Sequence, residues 1–105
     1  SCKVFYHIYN VLFFTRPMLF VMEKEEISPF WMKDMLISLD MLFIDSEGFI
    51  VDIKEGLKPC ESIYKCPNIY SGAPFKYVLE VNSGFVRINR VVVGNSMIFN
   101  ISSEE

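Results

Sequence analysis

The sequence predicts one compact domain that is mainly β, a sandwich or a small barrel with one short helical turn. Apolar residues make up 51% of its 105 residues and aromatic residues 15%. This composition supplies enough apolar surface for a packed core and excludes a disordered chain. The apolar runs are short and rich in aromatic and β-branched residues, and no long run has the period of an amphipathic helix. Residues 1–105 are therefore expected to form a single domain.

The first three predicted strands are apolar runs that end near charged residues or proline. Val4–Phe14 and Met18–Glu23 contain many aromatic and branched side chains, and Arg16-Pro17 separates them. The charge run over residues 23–26 is predicted to be a solvated turn. Phe30–Leu36 is predicted to be the third strand, because the proline before it favours an extended entry.

A hairpin is the clearest prediction in the middle of the chain. Leu39–Ile44 and Phe49–Ile53 flank Asp45–Gly48, which has an acid at its start and a glycine that can adopt a positive φ. Pro59–Pro74 follows and contains three prolines and two cysteines. Since loops of this length in compact domains are usually functional or disordered, we interpret it as a long ordered loop.

The remaining predicted elements are short. Tyr77–Asn82 alternates between two faces and is predicted to be a strand. Ser83–Asn89 is predicted to form the short helical turn. A Gly94-Asn95 turn then leads to a last predicted strand, Ser96–Ile101.

Charge and apolar patterning argue against several classes of protein. The net charge of −3 is unfavourable for a nucleic-acid binder, which needs a basic face to displace counterions. In the most apolar region, Val4–Met22, the longest charge-free run is Val4–Thr15, with twelve residues, whereas a membrane-spanning helix needs roughly 20. No small-x-small cleavage site follows this run, so no clear signal peptide is present and the compartment stays open.

No cofactor or metal is predicted. The sequence lacks a Walker-type loop, a dinucleotide-binding glycine fingerprint and a nucleophile elbow. Cys60 and Cys66 have five residues between them, which is not the spacing of zinc ribbons, and His7 is the single histidine. The two cysteines are expected either to form a disulfide that closes the proline-rich loop or to remain as buried thiols.

An ordered series of short motifs resembles the signature of domain-of-unknown-function family 192. The order and spacing of the motifs agree over about residues 18–101, and the N-terminal part is atypical. The matching motifs are Phe30-Trp31-Met32-Lys33, Leu39-Asp40, Phe43-Ile44-Asp45, Gly48, Pro59-Cys60, Cys66-Pro67, Tyr77-Val78-Leu79-Glu80-Val81-Asn82, Gly84-Phe85 and Val93-Gly94-Asn95.

The resemblance implies a fold and only a general role. It implies a compact, mainly β domain with a jelly-roll-like sandwich, in a prokaryotic-type family whose biochemical function is not established. Many members of the family are exported, and paired cysteines resemble a feature of an archaeal-type subset. This sequence departs from the signature at Asp34, Ser38 and Asn95, where the family usually has Asn, Pro and Asp. Before Met18 the family's segment is absent or altered, with Leu12–Arg16 as a shortened version of it.

Trp31 and Lys33 form the first part of a candidate binding site. On a strand, two residues that are two positions apart point to one face. An aromatic ring beside an ammonium group suits an anionic or sugar-like ligand, because the ring supplies apolar area and the ammonium supplies charge. In the alternative, Trp31 fills the core while Lys33 extends to solvent or pairs with an acid.

Asp40 and Glu80 are the other candidate site residues, because each is an acid within an apolar strand. Such placement is costly unless the acid is paired or exposed. Either acid is expected to reach Lys33 across the sheet, which would permit acid–base chemistry. In the alternative, they form a structural ion pair or cap backbone N–H groups at a turn.

Three functions are compatible with these features. The favoured one is a binding or accessory module for a small ligand or a protein partner, with a polar site around the Phe30–Lys33 segment. The second is a small enzyme that uses Lys33 with Asp40 or Glu80 as acid and base. The third is a structural network, with function on an unmarked surface. The sequence leaves the oligomeric state open.

Overall fold

One antiparallel sheet of five strands organises the protein in its computed structural model, which describes the backbone of residues 2–7 and all of residues 17–61 and 63–97. The strand order across the sheet is β1-β2-β5-β3-β4, and every neighbouring pair is antiparallel. The elements are β1 (Cys2–His7), β2 (Met18–Glu26), β3 (Leu39–Ile44), β4 (Ile50–Leu57), β5 (Phe75–Asn82) and the short helix α1 (Phe85–Ile88).

The prediction of a mainly β domain with one short helical turn is confirmed. Within the part of the chain that the structure describes, β1 and β4 are the edges and do not pair with each other, so the sheet stays open and does not form a barrel. No helix among those residues is long and apolar enough to cross a membrane.

Most predicted strands lie close to where the pattern placed them, and two predictions are wrong. Residues 23–26 do not form a turn: they are the exposed or partly exposed end of β2, because a charged run can remain extended while its side chains stay solvated. The hairpin is formed by β3 and β4, with Gly48 at a φ of 94° in its turn. Phe30–Leu36 is not a strand, because only Phe30 and Lys33 make single bridges and Asp34 ends the extended backbone with a φ of 61°. Residues 8–14 and 98–101 of the first and last predicted strands lie outside the described residues.

The central position of β3 explains its continuous apolar run. Its six residues are all buried, because loops cover one face of the sheet and α1 covers the other. Leu42 and Ile44 pack with Val86 of α1 on what we call the helix face. Met41 and Phe43 pack on the opposite face, the loop face, against residues of the segments 30–35 and 57–69. Strands buried on both sides lack the usual alternation of apolar and polar residues.

Four phenylalanine rings connect the loop face to the covering loops. The ring centroids of Phe43 and Phe75 lie 5.0 Å apart, and Phe30 lies 5.8 Å from Phe20 and 6.2 Å from Phe43. Edge-to-face pairs of this kind contribute about 0.5–1.5 kcal/mol beyond their buried area. Phe30 therefore fixes the start of the segment that carries Trp31 and Lys33.

Candidate functional site

Trp31 and Lys33 lie together on the outer side of the loop layer. The Trp31 side chain is 53% exposed, and the Nζ atom of Lys33 lies 4.9 Å from the centroid of its ring. This is a cation–π contact, since the negative face of the ring attracts the ammonium group. The alternative in which Trp31 fills the core is therefore wrong, and its neighbour Met32 is buried instead, with 4% exposure.

Backbone hydrogen bonds hold this segment on both sides. The N–H of Phe30 donates to the carbonyl of Ile69 at 2.9 Å, and the N–H of Ile69 donates back at 2.6 Å. Farther along, the N–H of Cys60 donates to the carbonyl of Met32 at 3.1 Å, and the N–H of Asp34 donates to the carbonyl of Cys60 at 2.8 Å. These bonds keep residues 30–33 locally extended without a full strand.

Because residues 30–33 are extended, their four side chains point alternately toward the sheet and away from it. Phe30 and Met32 pack on the loop face of the sheet, whereas Trp31 and Lys33 point outward and meet. Asp34 follows in the left-handed region, which Asp tolerates better than most residues. The expectation that Trp31 and Lys33 share one face thus holds, although the strand that motivated it does not form.

Asp40 is a buried anchor for three backbone N–H groups. Its side chain is 0% exposed. The Oδ1 atom accepts a hydrogen bond from Gly56 at 2.9 Å, and Oδ2 accepts from Gly84 at 3.1 Å and from Val86 at 3.0 Å. Asp40 thereby ties β3 to the end of β4 and to the start of α1. This is the alternative in which the acid caps backbone N–H groups.

Two glycines present their N–H groups to this carboxylate. Gly56 has a φ of 62° and Gly84 a φ of 99°, values that L side chains rarely adopt. A shallow depression of about 250 Å³ lies beside them, and Glu55 and Arg87 contribute to its wall. The carboxylate of Asp40 forms part of that wall but is already satisfied by the backbone.

Glu80 lies on the opposite face of the sheet from Asp40. In register, Asp40 pairs with Val81, a residue of the helix face, whereas Glu80 pairs with Met18 and Met41 on the flanking strands. Glu80 is 8% exposed, and burial raises the pKa of its carboxyl to about 7. Among the described residues, no ion pair within 4.0 Å involves the Glu80 carboxyl.

The four predicted site residues therefore do not converge. Trp31 and Lys33 meet, but no described ion pair within 4.0 Å joins Lys33 to Asp40 or Glu80. The prediction that either acid reaches Lys33 across the sheet is wrong, because Asp40 faces α1 and Glu80 has no charged partner among the described residues. The sheet itself lies between the side chains of Asp40 and Glu80.

Exposed aromatic residues of the proline-rich loop extend the outer surface. Tyr64 is 64% exposed and Tyr70 is 53% exposed. Tyr70 follows Ile69, which forms an antiparallel bridge with Phe30, so Tyr70 lies beside Pro29, on the other side of the bridge from Trp31. The sequence does not reveal whether these two rings seal the core or face a ligand, because an irregular loop has no period from which a face can be read.

Cys60 and Cys66 are joined by a disulfide in the structure, with their Cα atoms 5.8 Å apart. The bond closes a short loop at the point where Cys60 pairs with the Met32–Asp34 segment. Among the described residues, no group of three or more His, Cys, Asp or Glu side chains is arranged to hold a metal ion.

Mass spectrometry of the native protein checks this bond. A non-reducing digest is expected to yield one peptide pair linked through Cys60 and Cys66, two hydrogens lighter than the separate peptides. Chain-entropy reasoning predicts that so small a loop contributes about 2–3 kcal/mol to the free energy of unfolding. Rapid alkylation of both thiols in the native, unreduced protein would refute the pairing.

Solved structures with a similar fold come from two bacteria. A "putative transcription regulator" from Sinorhizobium meliloti 1021 has 37% sequence identity and a TM-score of 0.67, and the similarity covers 74% of this chain and 57% of that one. A protein of unknown function from Novosphingobium aromaticivorans DSM 12444 has 23% identity and a TM-score of 0.69, covering 77% of this chain and 55% of that one. The chain thus spans little more than half the length of each of these proteins.

The family comparison covers more of the chain than either structure. No curated protein matches the sequence. The model of the family DUF192, described as "Uncharacterized ACR", matches residues 12–99, so the match begins before Met18 and includes Leu12–Arg16. Because this match covers most of the chain, the resemblance is confirmed: the chain belongs to domain-of-unknown-function family 192.

Proposed function

We propose that the chain is a binding module that recognises its ligand or partner at the Trp31–Lys33 face. The observation that carries this proposal is an exposed tryptophan ring with an ammonium group 4.9 Å from its centroid. An exposed Trp is unusual when apolar packing alone sets its position, since aromatic rings contribute most when buried.

The chemistry of the face favours an anionic group carried on a flat or apolar body. The second side of the Trp31 ring offers apolar area for stacking, and Lys33 offers a point charge for a carboxylate or phosphate. A sugar acid or an aromatic acid has both features. Because backbone hydrogen bonds already hold residues 30–34, little conformational entropy is lost on binding.

The geometry gives little support to the alternative of an acid–base enzyme. Asp40 already accepts three backbone N–H groups, and no described ion pair brings Lys33 to Glu80. A general acid–base pair needs both groups within hydrogen-bond reach of one substrate. The third alternative, a structural network, fits Asp40 alone.

The description of the S. meliloti neighbour as a "putative transcription regulator" is compatible with a module that senses a small ligand. It gives little reason to propose direct contact with DNA. The net charge of −3 opposes the counterion release that such contact requires.

Titrations with anionic ligands test the proposal. Trp31 is the single tryptophan of the chain, so its fluorescence reports on this face alone. Galacturonic acid, sialic acid, phenyl phosphate and citrate serve as probes, and at least one is expected to change the emission in a saturable way. Lys33→Met is expected to weaken binding by about tenfold, or ~1.4 kcal/mol, because it removes the charge and keeps the length of the side chain.

Two further variants make this test specific. Trp31→Ala, followed by calorimetry, is expected to lose binding while its circular dichroism spectrum stays native. Lys24→Met removes an exposed lysine of β2 and is expected to leave the affinity unchanged. Equal affinities in the wild type, Lys33→Met and Lys24→Met, or the lack of binding to every probe, would contradict the proposed function.

A further inference from the structure

We infer that the Cys60–Cys66 disulfide sets the geometry of the Trp31–Lys33 face, so that thiol reduction regulates recognition there. This inference rests on the proposed function for its biological meaning. Its structural content, redox control of the Trp31–Lys33 contact, can be tested without any ligand.

Cys60 connects the disulfide directly to the binding segment. Its N–H donates to the carbonyl of Met32 at 3.1 Å, and its carbonyl accepts from the N–H of Asp34 at 2.8 Å. Lys33 lies between these two residues and forms a bridge with Cys60. Both backbone polar groups of Cys60 are therefore committed to the two neighbours of Lys33, while its side chain is committed to Cys66.

The loop between the two cysteines has few other restraints among its described residues. The N–H of Tyr64 donates to the carbonyl of Glu61 at 2.9 Å, whereas Glu61 and Lys65 are exposed and Ile63 and Tyr64 are 79% and 64% exposed. Residues with so few buried contacts open readily, since local stability follows the number of buried contacts. The covalent bond therefore restrains this loop most strongly, and it adds to the two hydrogen bonds that hold the Cys60 backbone against the Met32–Asp34 segment.

The disulfide is also accessible to reduction. Cys60 and Cys66 are both only partly buried, so a small thiolate can reach a sulfur atom. The thiolate attacks one sulfur, the S–S bond breaks, and a mixed disulfide forms with one cysteine while the other leaves as a thiolate. A second thiol then resolves the mixed disulfide. The balance is one protein disulfide and two small thiols converted into two cysteine thiols and one small disulfide.

Reduction is expected to loosen the contact between Lys33 and Trp31. Once the S–S bond is broken, the loop gains conformational freedom, and the hydrogen bonds of Cys60 to Met32 and Asp34 compete with solvent. Lys33 then samples positions away from the indole ring. The face loses the fixed pairing of ring and charge on which recognition of an anion depends.

Fluorescence quenching of Trp31 measures this change directly. Iodide is an anion that the Lys33 ammonium concentrates near the ring, whereas acrylamide is neutral. In a Cys2→Ser background, dithiothreitol is expected to lower the ratio of iodide to acrylamide quenching by about twofold, the size expected from one exposed charge near the ring. Lys33→Met is expected to show the low ratio before and after reduction.

Control variants separate this effect from unfolding. Cys66→Ser is expected to show the low ratio without dithiothreitol and to keep a native circular dichroism spectrum. Lys24→Met, at an exposed position of β2, is expected to behave as the wild type. The same quenching ratio before and after complete reduction of the wild type, with reduction verified by alkylation, would overturn the inference. A redox-dependent ratio in a protein that binds none of the anionic probes would instead leave redox control intact and contradict the proposed function.

Discussion

Replacing Asp40 by asparagine is expected to lower the free energy of unfolding by about 2–4 kcal/mol, a large share of the ~5–15 kcal/mol of a typical domain. Both oxygens of the carboxylate accept hydrogen bonds from backbone N–H groups. One oxygen accepts from Gly56, and the other accepts from Gly84 and Val86. Asparagine has one acceptor oxygen, and its amide NH₂ would face a donor. At least one of the three N–H groups would lose its partner, and the remaining bonds would lose their charge assistance.

Urea denaturation followed by circular dichroism measures this loss. Asp52→Asn is the matched control. Asp52 accepts hydrogen bonds from the N–H groups of Ile53 and Gly72 at 2.8 and 2.7 Å, but it remains partly exposed. Solvent can replace those bonds, so the control is expected to lose at most about 1 kcal/mol. Equal losses in both variants would contradict the assignment of Asp40 as the anchor of α1 and β4.

Replacing Glu80 by glutamine is expected to stabilise the protein at pH 8 and to have little effect near pH 4. Burial raises the pKa of the Glu80 carboxyl from 4.5 to about 7, so the folded state holds a proton that the unfolded state releases between these values. The stability contributed by the protonated carboxyl is complete below about pH 4.5 and is lost as the pH rises through 7. A shift of this size corresponds to roughly 3 kcal/mol.

The difference in unfolding free energy between Glu80→Gln and the wild type, measured as a function of pH, isolates the contribution of the Glu80 carboxyl. Unfolding free energies at pH 4, 6 and 8 are expected to show a gain for Glu80→Gln that grows with pH. Glu47→Gln, at an exposed position in the hairpin turn, is expected to track the wild type throughout. A constant difference across the pH range would show that Glu80 is not held in an apolar environment.

The sequence predicts the sheet well where local pattern and local structure coincide. Leu39–Ile44 is β3 without a change of boundary, because its branched and apolar residues favour a buried strand whatever its neighbours are. Gly48 marks the turn to β4, because a positive φ is required there. The same logic fails for Phe30–Leu36. Its alternation is real, but the backbone turns at Asp34, and Asp carries only a weak local signal for a left-handed conformation.

The candidate site depends on contacts that no local pattern encodes. Asp40 is conspicuous as an acid in an apolar strand, yet its role follows from N–H groups 16 to 46 positions away in the chain. The separation of Asp40 from Glu80 follows from strand register, since a shift of one residue exchanges the two faces of a strand. The sequence predicts correctly that Trp31 and Lys33 lie on one side. Side chains two positions apart on an extended segment point in the same direction, whichever segment they pair with.

Chemical-shift mapping tests most directly the claim that recognition occurs at the Trp31–Lys33 face. Uniformly ¹⁵N-labelled protein is titrated with the anionic probe that changes Trp31 fluorescence, and amide and indole N–H shifts are followed. If the ligand binds this face, the largest shifts are expected at the Trp31 indole and at the amides of residues 31–34 and 69–70. Shifts confined to the helix face, around Gly84 and Val86, would contradict this claim and place binding on the opposite side of the sheet.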